Sequence, residues 1–565
     1  MTRIILVLII FLVQGCASIE NLQKKQWIKV QSNNFTYYTT LDSSRAEKVV
    51  DNLEAFHSLI ALSNPLKQAN AKVPTIIYGL SSEYAKKFNV DRGIGGFFQQ
   101  ELARNIVFLK ESNKDIENIS TIMHEYVHYA HATRQVSYPR WLEEGTAEYL
   151  SGTQEKDGLF TLGYVQKGRL NTLYSERWLK GEELINPVNY NDWSSVKQST
   201  FYAQAWFLTF YLNNKEYPPG KTYSQSVVAY LKALRNGDDN LVAFEKAFNL
   251  SPSSISKTLT RYFKRGKYKK MAFDKSELLK SVEINISTLS VSQVSLILAD
   301  FALSQSQYSL ANSLYDQAML NNASKASALI GRAKVSLSEE NMNEAIDYLD
   351  KLDVFKPAQF ESLLVRAQLL LSLAKNTNEI EDKEKYLNEA RGYFTQAWKI
   401  KPDSPILYFF YAQTYFEMQD NNFRAIEMLK EANGLNPSYL QIKVDLLKAE
   451  ALTDLAAGKE YGQQLLANLN SEYDQSYKDQ VANILSHIEN YTTYLKSNNF
   501  KAWAESPSGA YGFIYQSESD ELASQGAIDK CIQFANKEET CLIIDQNLVE
   551  PEILKQSFIK RLLAE

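Results

Sequence analysis

The 565-residue sequence predicts a multidomain protein: an α+β body, then an all-α repeat array, then a small α+β module. Three observations carry this prediction. Up to about residue 270, stretches that alternate like strands are interleaved with segments of helical periodicity. From about residue 285, small residues recur at a 34-residue period, as at Ala299, Ala333 and Ala367. From Phe500, short strand-like segments flank a helical one and hold the last two cysteines. The expected boundaries are 1–16 for a leader, 17–284 for the body, 285–498 for the repeats and 499–565 for the terminal module.

In the leader, Arg3 supplies a short positive region and Ile4–Val13 an apolar stretch too short to span a bilayer. Val13-Gln14-Gly15-Cys16 resembles a bacterial lipobox. That resemblance implies cleavage before Cys16 and a lipidated N-terminal cysteine, so that acyl chains rather than a helix anchor the body to a lipid membrane. Ala17, not Asp, follows the cysteine. By similarity to Gram-negative lipoproteins this favours the outer membrane, giving a lipid-anchored protein of the bacterial cell envelope that faces the periplasm.

In the body, Trp27–Leu41 alternates like a strand, and Ser44 with Glu47 reads as a capping box. Ala46, Val49, Val50, Leu53, Phe56 and Ile60 then continue an amphipathic helix. His57, within that helix, is expected to be half-buried and satisfied. Val73–Tyr78 and Arg104–Leu109 read as further strands, the second preceded by Gly93-Ile94-Gly95-Gly96.

The chemistry lies next in the chain. In His124-Glu125-Tyr126-Val127-His128, residues four apart stand on one helical face, so two imidazoles can reach one metal ion. Glu125 lies beside that ion, where it can hold and deprotonate a water as general base. Ile122, Met123, Tyr126, Val127 and Ala130 supply a separate core face. The metzincin continuation is excluded, because His131 and Arg134 stand where Gly and His would be needed. His131 is also roughly 10 Å along the helix from His124, too far for both to reach one ion. A second helix after Pro139 carries Glu144 and Glu148 on one face, with Glu143 rotated off it, and Glu144 is the better third ligand.

With Trp141-Leu142-Glu143-Glu144-Gly145-Thr146-Ala147-Glu148-Tyr149, the chain resembles the gluzincins, and within them the peptidase MA-like zinc metallopeptidases, over roughly residues 27–270. The resemblance implies a zincin-like α+β fold, Zn2+ held by His124, His128 and Glu144, and Glu148 hydrogen-bonded to a ligand histidine. The interval from His128 to Glu144 is shorter than in thermolysin, which leaves Glu148 a competitor for the metal. Peptide or protein substrates would be hydrolysed by a water activated on zinc, with Glu125 moving the proton. Tyr202 and His131 are candidates for an oxyanion donor. In zincin-like folds a strand lies along the cleft, so 104–109 is either such a strand, able to pair with an extended substrate, or an ordinary strand of the sheet.

The later alanines at 311, 345, 390 and 425, with Pro357, Pro402 and Pro437 closing successive units, resemble tetratricopeptide repeats. The third unit has an insertion around Asn376–Lys383, and a weaker fifth unit runs to about Tyr491. Such an array implies a concave face for a protein partner. In the terminal module Ala510–Tyr515 and Cys541–Asp545 read as strands and Ser519–Ala535 as a helix. With Cys16 lipidated, Cys531 and Cys541 remain to form a disulfide in an oxidising compartment. His487 is expected at the surface. The net charge of −5 is mild, and the one basic run, Lys264–Lys270, reads as a solvated helix end or a contact with anionic lipid, so no nucleic-acid partner is expected. The competing expectation is a non-catalytic repeat lipoprotein acting as an envelope assembly scaffold. Glu125 and Glu144, both intact, argue against it.

Overall fold

A computed structural model describes residues 18–63, 73–90, 95–111, 115–133, 138–219, 221–266, 268–279, 282–353, 359–469, 475–497, 500–537 and 539–564. Cys16 and its lipobox, like Pro357, lie outside these. The protein is multidomain and mostly helical, with 25 α-helices and three small sheets among the described residues.

The body is organised by a six-stranded sheet. Its spatial order is Gly96–Gln100, Asn105–Glu111, Thr75–Ser81, Phe35–Thr39, Ile28–Gln31 and Asn285–Thr288. The pairings among strands 105–111, 75–81 and 35–39 are parallel, and the outer ones antiparallel. The middles of strands 75–81 and 105–111, Ile76-Ile77-Tyr78 and Ile106-Val107-Phe108-Leu109, are apolar on successive positions because both faces of the sheet are covered. On one face Ile77, Val107 and Leu109 join a core with helices Ser43–Ser63 and Asp115–Ala132. On the other, Tyr78, Leu80, Ile106 and Phe108 pack against Ala299, Phe301 and Ala311 of the first repeat helices. Tyr78 stacks on Phe301 at 4.6 Å.

The expected body therefore shares its sheet and core with the repeats, and the last strand lies just past the boundary expected at 284. Three local expectations also change. Residues 27–41 form a hairpin, not one strand, because Glu54 accepts hydrogen bonds from Ser32 Oγ at 2.6 Å and Asn34 N at 2.8 Å and so holds a turn between two strands. The helix after it starts at Ser43, and Asp42 rather than Ser44 takes a backbone amide, that of Arg45 at 3.0 Å. Strand 105–111 is not a free edge: Gly96, the last of the glycines noted before it, opens the edge strand Gly96–Gln100, which pairs with it, while Gly93 and Ile94 lie outside the described residues. Gly96 permits this because a Cβ there would collide with Thr121 and the Phe108 carbonyl.

Beyond residue 290 the chain runs as antiparallel helix pairs: Val291–Ser304 with Tyr308–Met319, Asn322–Ser338 with Met342–Asp353, Phe360–Asn376 with Ile380–Ile400, Pro405–Met418 with Asn422–Leu435, and Leu440–Thr453 with Leu455–Asn468. Ala299, Ala311, Ala333, Ala345, Ala367, Ala390 and Ala425 are all fully buried, where a larger side chain would push the helices apart. The insertion near 376–383 becomes extra turns of the 21-residue helix Ile380–Ile400. Helix Gln475–Lys496 follows.

The terminal module has a three-stranded sheet, Tyr511–Ile514, Ala502–Glu505 and Leu542–Gln546, with helix Asp520–Phe534 against it. A disulfide joins Cys531 and Cys541. Helix Pro551–Ala564 returns to the repeats, stacking Phe558 on Tyr491 at 4.3 Å. Trp503, Leu554 and Phe558 share a core with Leu447, Leu465 and Ile484, so the module is not a separate unit. His487 is half-buried there, with Nδ1 3.1 Å from Tyr511 Oη, rather than at the surface.

Candidate metal centre

Helix 115–132 presents His124 and His128 one turn apart, while Ile122, Met123, Tyr126, Val127 and Ala130 bury its other side. His57 lies away from these rings, with its Nδ1 2.6 Å from Tyr126 Oη. Helix Arg140–Ser151 crosses in front of the histidines. Its anchor is Trp141, which packs on Phe244 and Phe248 and donates from Nε1 to Tyr230 Oη at 3.1 Å. Gly145 lets helix Ser195–Asn214 cross it closely, because a Cβ would strike the Ala205 carbonyl and Thr209. That crossing brings Tyr202 Oη to Glu144 Oε1 as a donor at 3.3 Å.

Three donor atoms converge between the helices. His124 Nε2 and His128 Nε2 are 3.1 Å apart, and Glu144 Oε2 is 3.5 Å from the first and 3.6 Å from the second. Ligands about 2.0–2.1 Å from a tetrahedral ion stand roughly 3.3 Å from one another. The triangle has that size, so these three residues could hold a metal ion.

Each histidine has a carboxylate at its other nitrogen. Glu143 Oε1 accepts from His128 Nδ1 at 2.8 Å, and its Oε2 lies 3.1 Å from His131 Nδ1. Glu148 Oε1 lies 3.6 Å from His124 Nδ1, and Arg169 holds Glu148 through Nε to Oε2 at 2.9 Å and through Nη2 to Oε1. These contacts turn both Nε2 atoms toward the triangle. Burial opposes a charge on His128, but the hydrogen bond to Glu143 and the charges of Glu144, Glu143 and Glu125 override it and lift its pKa to about 9. Burial likewise works against the Glu143 carboxylate, yet His131 and His128 hold it down at about 2. Glu125 is shifted upward, by burial first and by Glu144 as well, against the pull of His124 and His128. The centre is one that favours positive charge.

Of the two carboxylates left open by the sequence, Glu144 joins the triangle and Glu148 stands behind His124. Glu125 and Tyr202 line the same cavity. His131 is almost fully buried, stacked on Tyr138 at 4.1 Å, and its Nδ1 is turned to Glu143. Glu143, off the face of Glu144 and Glu148 as the helix projection had it, still reaches the site through His128 and His131. Neighbouring residues on a helix diverge by about 100°, and here Glu143 and Glu144 straddle the histidine face. The signal that could have found it is two consecutive carboxylates in a helix that is buried along most of its length. Arg169 has no comparable signal.

Residues 118–223 match the family described as Protein of unknown function (DUF1570), a span that includes His124, His128, Glu144 and Tyr202. No curated protein matches the chain. Among solved structures it is similar to a thermophilic TPR protein from Thermus thermophilus, with 19% identity, a TM-score of 0.30, and coverage of 34% of this chain and 98% of that one.

Proposed function

We propose that this protein is a zinc-dependent peptidase of gluzincin type, with a zincin-like catalytic domain, held in the bacterial cell envelope by a lipid on Cys16. The observation that carries the catalytic reading is the triangle of His124 Nε2, His128 Nε2 and Glu144 Oε2 with Glu125 beside it in one cavity. Those three residues would hold the ion. Zinc bound there would acidify a water and polarise the scissile carbonyl. Glu125, its carboxyl raised by burial, accepts the water's proton on a carboxylate oxygen and returns it to the leaving amine. Tyr202, whose hydroxyl is kept protonated by burial and by Glu144, donates a hydrogen bond as the carbonyl oxygen gains charge. Glu143 and Glu148 orient the imidazoles, and His131 steadies Glu143.

Metal analysis and peptide cleavage by the wild type beside Glu125→Gln test the reaction. The variant is expected to keep its metal and lose at least about a hundredfold in hydrolysis. Equal cleavage by both proteins would remove Glu125 from its role. Cys16→Ser is expected to move the protein from the membrane fraction to the soluble one; retention after a high-salt wash would refute the anchor.

A further inference from the structure

The cavity that contains His124, Glu125 and His128 is about 550 Å³, and one side of it does not come from the body. That side includes Tyr439, Leu440, Leu465, Leu469 and Tyr477, from the last repeat pair and the helix after it, with the polar Ser438, Lys443 and Asn468 among them. We propose that this repeat surface is the specificity wall of the cleft, receiving a large apolar side chain of a short extended peptide. The proposal rests on the peptidase reading and adds its substrate class.

Two observations tie the wall to the floor. The tip of the hairpin built from strands 96–100 and 105–111 is inserted into the repeats: Leu102 is buried with Ala412, Phe416, Ile442 and Leu446, and Asn436 Nδ2 donates to the carbonyls of Glu101 at 3.3 Å and Leu102 at 3.1 Å. At the other end of the array, Gln99 Nε2 donates to the Ser304 carbonyl at 3.1 Å, beside the core shared by Tyr78 and Phe301. The edge strand that borders the metal ligands is thus pinned at both ends of the array. This fixes the width of the cleft rather than leaving the repeats as a platform that gathers substrates at a distance.

The two sides differ in chemistry. The floor gathers His124, Glu125, His128, Glu143 and Glu144 and suits a peptide carbonyl and amide, whereas five of the eight wall residues are leucine or tyrosine and suit a side chain leaving water, with Lys443 the wall's one charged group. The volume falls in the range of roughly 300–1,000 Å³ that encloses small ligands, so a few extended residues fit and a folded domain does not.

The test uses full-length protein and fluorogenic peptides that are identical except for one phenylalanine moved through each position, with an all-alanine peptide as reference. Wild type is expected to prefer phenylalanine at one position. Leu469→Ala is expected to lower kcat/KM for that peptide about tenfold, mainly through KM, and so to shrink its advantage over the alanine peptide by a similar factor while the metal content holds. Tyr477→Ala, at a half-buried position, gives the same reading should Leu469→Ala fail to fold, as judged by thermal melting. No preference in wild type, or the same preference in both variants, overturns the wall. If wild type cleaves none of the peptides, the hydrolytic reading fails, and fluorescence anisotropy of the labelled phenylalanine peptides decides the wall alone. A tenfold weaker binding in the variants then sustains it, and equal or absent binding overturns it.

Discussion

On the floor of the cavity, polar groups hold one another: Glu143 bridges His128 and His131, and Arg169 clamps Glu148 behind His124. On the wall, Leu465 and Leu469 are held by a core that continues through Val481, Ile484 and Trp503 into the terminal module. The difference concerns tolerance. A hydrogen-bonded charge weakens steeply when its partner moves by half an ångström, while an apolar surface loses free energy only in proportion to the area it gives up. Floor substitutions are therefore expected to act on metal and chemistry, and wall substitutions on substrate choice.

The strongest way to break that comparison is at the triangle. Glu144→Ala removes an anionic donor 3.5 and 3.6 Å from the two Nε2 atoms, and zinc affinity should fall by well over about a hundredfold in competition with a chelating dye. Undiminished affinity would move the third ligand elsewhere. A smaller effect sharpens the picture: Glu143→Ala and Glu148→Ala should each cost about ten- to a hundredfold, the first more than the second. Glu143 meets its histidine at 2.8 Å, and Glu148 is 3.6 Å from its own and already neutralised by Arg169. A larger loss at Glu148 would show that it, not Glu143, sets the orientation that matters.

What was legible in the sequence is what local spacing encodes. Two histidines four apart need only a helix to share a face, and alanines 34 apart need only equivalent places in successive helix pairs, and these lie together as expected. The features that escaped depend on partners remote in the chain. The edge strand 96–100 was hidden because it opens on Gly96, whose smallness serves close packing on Thr121 and carries no strand signal. Glu143 was set aside by a helical projection, which gives angles around one helix but not the position of the next. The wall could not be read at all: it needs Leu102 to sit among residues more than three hundred positions away. Where the sequence suggested separate domains, apolar faces without a mark of their partner turned out to be shared, on the sheet at Tyr78 and in the terminal core at Trp503.

The smallest expected effect lies farthest from the metal and probes whether the wall depends on the terminal module. The disulfide Cys531–Cys541, ten residues apart in sequence, ties helix 520–534 to the start of strand 542–546, on the side of the sheet where Ala502, Ala504, Ala523 and Ala527 are buried. Closing so short a loop is worth about 2–3 kcal/mol in the chain-entropy account. Reduction should therefore lower the melting temperature of this region without releasing metal, because the floor shares no core residue with it. The opposite side of the same sheet, through Trp503, belongs to the core that backs Leu465 and Leu469. A modest rise in KM for the preferred peptide, with kcat and metal content unchanged, is the expected outcome when the reduced and oxidised full-length proteins are compared. Loss of metal on reduction would mean that the floor, too, leans on the terminal module, and two freely labelled thiols in protein taken from its native compartment would mean that the bond does not form.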